Sequence, residues 1–100
     1  MDKFKIKLNI RAYNDIDNIF DYISKDLQSP ETAQGQTDRL RKSLKTLDSF
    51  PQSHQERNVG KYAGKGYRQL LVDNYLAIFR IDTVNKIVTV VTVQYQGRNL

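Results

Sequence analysis

The stretch Gly66–Gly97 reads GYRQLLV, then DN, then YLAIFRI, then DTVNK, then IVTVVTVQYQG. Three runs rich in β-branched, aromatic and aliphatic residues are parted by two short polar breaks. Asp73-Asn74 is a two-residue break whose members both tolerate positive φ, a strong hairpin signal. Asp82–Lys86 is a looser turn made of turn formers. The reading is a three-stranded antiparallel meander. The two-residue turn sets the register, with Val72 opposite Tyr75, Leu70 opposite Ala77, and Arg68 opposite Phe79. If Asp82 pairs with Ile87, Arg80 lies opposite Thr89 and Ile78 opposite Val91.

Side chains alternate across a strand, so this register sorts them into two faces. One carries Leu70, Val72, Ala77, Phe79, Ile81, Val88 and Val90, with Arg68. The other carries Leu71, Leu76, Ile78, Ile87, Val91 and Val93, with Tyr67, Arg80 and Tyr95. Both are largely apolar and both need a cover. One bulge would reassign part of this scheme.

Upstream, Lys3–Leu8 alternates strictly, with Phe4, Ile6 and Leu8 one way and Lys3, Lys5 and Lys7 the other. This is a half-buried strand whose lysines keep an edge soluble. Asn9 stands where a helix cap would. Ile16, Ile19, Phe20, Ile23 and Leu27 then recur at helical spacing, predicting an amphipathic helix over about residues 11–27 with Asp15, Asp17, Asp21 and Asp26 on its charged side. Ser29-Pro30-Glu31 opens a second helix, with proline where its missing N–H costs nothing. Its seam is Ala33, Thr37, Leu40, Leu44 and Leu47, and it ends near Ser49. The short link makes the pair an antiparallel helical hairpin. Gly35 weakens the second helix unless a close approach requires it. Residues 51–65 form a long loop containing His54, Glu56, Arg57, Lys61 and Lys65, a length that points to function or mobility. GKYAGK at 60–65 lacks the spacing and preceding strand of a phosphate-binding loop. The fold class is α+β in the order β-α-α-β-β-β, a single domain over 1–100.

The chain of 100 residues has no cysteine and one histidine, which excludes disulfides, thiolate metal sites and multi-histidine sites. No metal and no cofactor is expected. No apolar run reaches membrane-spanning length and no signal peptide is visible, so a cytoplasmic protein is expected. Net charge is +5 and unevenly spread. Residues 1–50 hold nine basic and eight acidic side chains, residues 51–100 seven and three. Arg57, Lys61, Lys65 and Arg68 occupy a span free of acids, which suits an anionic partner.

SPETA opening the second helix, LDSFP closing it, GYRQLLVDNYLAIFRID across the hairpin and VQYQGRN at the end together resemble the RelE/ParE superfamily of type II toxin–antitoxin toxins. The resemblance covers nearly the whole chain. It implies a small basic cytoplasmic toxin neutralised by an antitoxin encoded beside it. RelE-like members cleave messenger RNA on the ribosome without metal, and ParE-like members inhibit DNA gyrase. Were this chain an RNase, the candidates for its catalytic residues would be Arg68, Arg80, Tyr95 and Arg98, with Lys61, Lys65, His54 and Glu56 behind them. Cleavage needs a base for the 2′-hydroxyl and cations for the phosphate. RNase members commonly carry an arginine early in the middle meander strand, where this chain has Tyr75-Leu76. That departure and the long helical hairpin favour the gyrase-directed branch. A third reading is a basic nucleic-acid-binding module, with Arg57, Lys61 and Lys65 as contacts to nucleic acid or target.

A helical hairpin covers one sheet face. The other would leave apolar surface on the order of several hundred Å², the size of an interaction site. An antitoxin segment is therefore expected over Leu71, Leu76, Ile78, Val91 and Val93, with a homodimer of the free chain as the other way to cover them.

Overall fold

The computed structural model describes residues 3–96. The elements run β1 (Lys5–Leu8), α1 (Ile10–Asp21) continued by a π-helical turn (Tyr22–Asp26), α2 (Pro30–Lys45) continued by a 3-10 turn (Thr46–Asp48), β2 (Arg68–Val72), β3 (Tyr75–Asp82) and β4 (Ile87–Tyr95). The sheet order is β1-β4-β3-β2. The meander is antiparallel as expected. β1 joins it parallel to β4, because the helical hairpin carries the chain back across the sheet, so the sheet is mixed.

The β2–β3 register is the one the turn dictates, with Arg68 opposite Phe79, Leu70 opposite Ala77 and Val72 opposite Tyr75. Asp73 supplies the positive φ of the turn, at 53°. Its carboxylate accepts from Arg39 Nε at 2.9 Å and Gln36 Nε2 at 3.1 Å, which ties the hairpin tip to α2. Between β3 and β4 the expected register holds from Asp82–Ile87 to Phe79–Val90 and then breaks. A bulge at Val91 puts Ile78 opposite Thr92, not Val91, and Ala77 opposite Val93. One extra residue flips every later side chain. Val93 therefore turns into the core on the helix side, against the expectation that it shared a face with Ile78.

That core is built from Phe4, Ala12, Ile16, Leu40, Leu44 and Leu47 of the N-terminal half and Val72, Ala77, Phe79, Val88, Val90 and Val93 of the meander. The seam of α2 is as the spacing predicted, with Leu40 wholly buried; truncating such a leucine costs about 2–5 kcal/mol. Leu27 departs from expectation and is exposed. The π-helical turn before it, closed by Leu27 N–H to Tyr22 O at 3.2 Å, is wider than an α turn and rotates Leu27 out of the apolar row. Asn9 and Ser29 stand at the cap positions, yet neither side chain caps the backbone; the Ser29 hydroxyl lies 2.6 Å from that of Thr32.

The second face is also closed by the chain itself. Leu76, Ile78 and Val91 form a small cluster under Tyr62 and Tyr67, and are 3%, 0% and 8% exposed. The expectation of an open aliphatic face fails because residues 51–67 do not swing free. Gln55–Arg57 lies along β2, with Arg57 N–H donating to Tyr67 O at 2.8 Å and Gln69 N–H to Gln55 O at 2.9 Å. The turn at Gly60–Tyr62 then folds Tyr62 back onto Tyr67, ring centroids 5.0 Å apart. Among the described residues no helix is long and apolar enough to cross a membrane.

Candidate functional site

Of the residues expected to form a catalytic set, the three that the structure describes, Arg68, Arg80 and Tyr95, do not converge. Arg68, opposite Phe79, is half-buried and donates from Nη1 to His54 O at 2.7 Å, fastening the loop. The His54 ring stands edge-on to Phe79 at 5.8 Å, inside that same seam. Arg80 points to the other face, is exposed, and makes no hydrogen bond or ion pair among the described residues. Tyr95 lies at the far end of β4, opposite Tyr75. Arg80 and Tyr75 are five residues apart on β3, about 17 Å along an extended strand. Arg98 lies outside the described residues.

The remaining expected residues scatter too. Arg57 is 9% exposed; its Nη1 donates to Gln69 Oε1 at 2.9 Å and its Nε has no partner among the described residues. Lys61 is exposed, with its ammonium 5.4 Å from the Tyr62 ring, and Lys65 is exposed between Gly64 and Gly66, which both hold positive φ. Glu56 is exposed. Of the aliphatics expected to meet an antitoxin, only Leu71 is open, at 52%.

A different site emerges beside the free edge of β4. β1 pairs with β4 only up to Val90, where Asn9 N–H donates to Val90 O at 3.0 Å. Beyond that point α1 takes the place of a strand. Asp15 Oδ2 accepts from Val93 N–H at 3.0 Å and from the Thr92 hydroxyl at 2.6 Å, with Gln94 Nε2 at 3.5 Å. Asp15 is thus not part of a solvated helix face. Between this edge and the helices runs a groove of about 940 Å³, whose walls include Arg11, Ile19, Tyr22, Leu27, Tyr75 and Tyr95.

Its aromatic lining is preorganised. The Tyr75 and Tyr95 rings meet edge to face at 5.9 Å. Burial pushes the Tyr75 phenol above its ordinary pKa, helped by the neighbouring phenols of Tyr95 and Tyr22. Tyr22, Leu27 and Tyr95 are each more than half exposed, so the groove presents apolar surface with hydroxyl handles. Nothing in the periodicity unites residues 22, 75 and 95. The available signal was a length mismatch: four residues in β1 cannot cover nine in β4.

A model of the family described as the ParE toxin of the type II toxin–antitoxin system parDE matches residues 6–100. No curated protein matches. Among solved structures, the chain is similar to one from the chromosomal ParDE system of P. aeruginosa, at 21% identity and a TM-score of 0.78, covering 95% of this chain and 98% of that one. It is similar to a chain of the RelBE2 toxin–antitoxin complex of Mycobacterium tuberculosis, at 14% identity and a TM-score of 0.63, covering 93% and 98%. It also resembles one from the RelE–RelB complex of Pyrococcus horikoshii, at 14% and 0.62, covering 96% and 98%.

Proposed function

Because the chain belongs to the ParE toxin family of type II toxin–antitoxin systems, we propose that it is a cytoplasmic toxin that arrests growth by inhibiting DNA gyrase and is silenced by a cognate antitoxin. The observation that carries the choice of target is the dispersal of Arg68, Arg80 and Tyr95. RNA cleavage without a metal requires a proton acceptor and cationic donors within hydrogen-bond reach of one phosphate. Here one guanidinium is engaged by His54 O, the second stands on the opposite sheet face, and the phenol sits in a groove at the other end of β3. That arrangement supports inhibition by binding over nucleolytic chemistry.

The antitoxin belongs in the tyrosine groove. Leu76, Ile78 and Val91 are already covered by the chain itself; other exposed apolar residues include Ile10, Phe50 and Val84, whereas Tyr22, Leu27 and Tyr95 are exposed together along one groove floored by the half-buried Tyr75. The test of target is a supercoiling assay with purified gyrase and the full chain, run beside primer extension on transcripts from induced cells. Loss of supercoiling with intact transcripts is the expected result. Discrete transcript cuts with gyrase unaffected would replace this reading with the messenger-RNA endonuclease.

A further inference from the structure

The outer face of the sheet, away from the helices, carries charge that the fold does not use. The parallel pairing of β1 with β4 sets Lys7 beside Thr89, and the meander sets Thr89 beside Arg80, so Lys7, Thr89 and Arg80 form one row across three strands. Ile6 and Leu8 pack on the core, which turns Lys5 and Lys7 outward on the side of Arg80. Lys5, Lys7 and Arg80 are all exposed and take part in no ion pair among the described residues. A shallow depression of about 690 Å³ opens between Lys7 and Arg80, lined also by Thr89, Ile87 and Asp82 among others.

The one acid at its rim, Asp82, interacts with Arg80 through its charge but makes its hydrogen bonds to the turn, so three cations face one carboxylate and the row stays net positive. Asp82 Oδ1 accepts from Val84 N–H at 3.1 Å and Asn85 N–H at 3.0 Å, and Oδ2 from Asn85 Nδ2 at 2.8 Å. Further along the same face Arg57 is buried, and among the described residues its Nε has no partner and no carboxylate pairs with it. Lys61 and Lys65 extend from the loop beyond it. A buried cation without a counter-charge is costly and adds to the positive potential of the surface above it.

We propose that this outer face is a contact surface for duplex DNA, with Lys5, Lys7 and Arg80 holding phosphates of the backbone. Residues two apart on a strand are about 6.6 Å apart, close to the step between successive phosphates of one strand, so Lys5 and Lys7 can each take one while Arg80 reaches across the row. Single-stranded RNA is bound by stacking bases on exposed rings. The rings on this face, Tyr62 and Tyr67, are half-buried and turned edge to face against each other, so they offer no free stacking plane. That leaves backbone contact, which a duplex satisfies. The inference goes beyond the gyrase reading and does not rest on it, since a chain that inhibits gyrase need not touch DNA.

The test is fluorescence anisotropy of the full chain with a short mixed-sequence duplex across a salt series. A double variant, Lys7→Gln with Arg80→Gln, is compared with Arg41→Gln and Lys42→Gln, which make the same charge change on exposed positions of α2. The outer-face variant should lose affinity on the order of tenfold per contact near 0.1 M salt, and its slope of log K against log salt should flatten by about 0.9 per contact. The α2 variant should bind as the parent does, and Lys7→Arg with Arg80→Lys should restore binding. Unchanged circular dichroism and unchanged antitoxin binding certify the folds. Equal losses in both glutamine variants would mean net charge alone, and would overturn the proposal. So would tighter binding of single-stranded RNA through the same residues, or no duplex binding at low salt. None of these outcomes bears on the supercoiling assay, so the two readings fail separately.

Discussion

Two aspartates that look alike in sequence do unlike work. Asp15 stands where a strand would, and its Oδ2 holds the Val93 amide and the Thr92 hydroxyl; Asp17, two residues on, is exposed. Removing a carboxylate that satisfies buried donors costs about 1–3 kcal/mol. Asp15→Ala should lower stability by that amount in denaturant unfolding, while Asp17→Ala should leave the midpoint in place. Asp73 tests a different property. Hydrogen bonds from Arg39 and then Gln36 hold its pKa below the ordinary 3.8. A carboxyl lowered on folding contributes stability that is complete above its unfolded pKa and is lost as pH falls through the folded one. The stability gap between the parent chain and Asp73→Asn should therefore be steady near neutrality and shrink only as pH falls below about 4, screened by solvent at this exposed turn. A gap that does not change across that window would show that the helix–hairpin tie contributes nothing. The turn itself was legible, since Asp-Asn between apolar runs admits few geometries. The partner of Asp15 was not, because no local pattern records which strand amide a helical aspartate will meet.

At the scale of elements, legibility tracked how one-sided each pattern was. α2 has one apolar seam, and Ala33, Thr37, Leu40, Leu44 and Leu47 all lie buried where the spacing put them. β4 has no such asymmetry: IVTVVTV is apolar on both sides, so an inserted residue leaves no trace in the pattern, and the bulge at Val91 came only with the structure. The length of the loop over residues 51–65 points to function or mobility, and length alone does not say what the loop packs on. It is held by backbone pairing along β2 and by Tyr62 and Tyr67, which cover Leu76, Ile78 and Val91. Gly35 weakens α2 unless a close helix approach requires it, and none does: an added Cβ would meet only Arg39 Nη1, at 3.4 Å. That guanidinium is the end of a flexible side chain. Gly35→Ala should accordingly stabilise the protein by up to about 1 kcal/mol, read as a raised unfolding midpoint with unchanged denaturant slope. Destabilisation would mean that Arg39 cannot yield without releasing Asp73.

At the scale of the molecule, the helical side of the sheet and its outer side differ in chemistry. The outer face is cationic and wet, and the groove beside β4 is aromatic, with Arg11 and the already engaged Asp15 as its charged residues. A partner that binds through phenol rings gains large apolar area at the entropy cost of two side-chain torsions each. Tyr75 is half-buried and fixed against Tyr95, so the groove is formed before anything enters it. Tyr22 and Tyr95 both line the groove and are each 54% exposed, which makes them the anchors to truncate with least damage to the core. Interface anchors of this kind cost about 2 kcal/mol or more when cut to alanine, and about 1.4 kcal/mol is a tenfold change in affinity. Tyr22→Ala with Tyr95→Ala should therefore weaken antitoxin binding by at least tenfold in titration calorimetry, with little dependence on salt, while duplex binding by the free chain persists. The charge-neutralised outer face should give the converse, with antitoxin affinity kept and duplex binding lost. If the tyrosine variant binds antitoxin as tightly as the parent, the antitoxin sits elsewhere; if it loses duplex binding as well while remaining folded, one surface serves both partners and the two sides of the sheet do not divide as proposed.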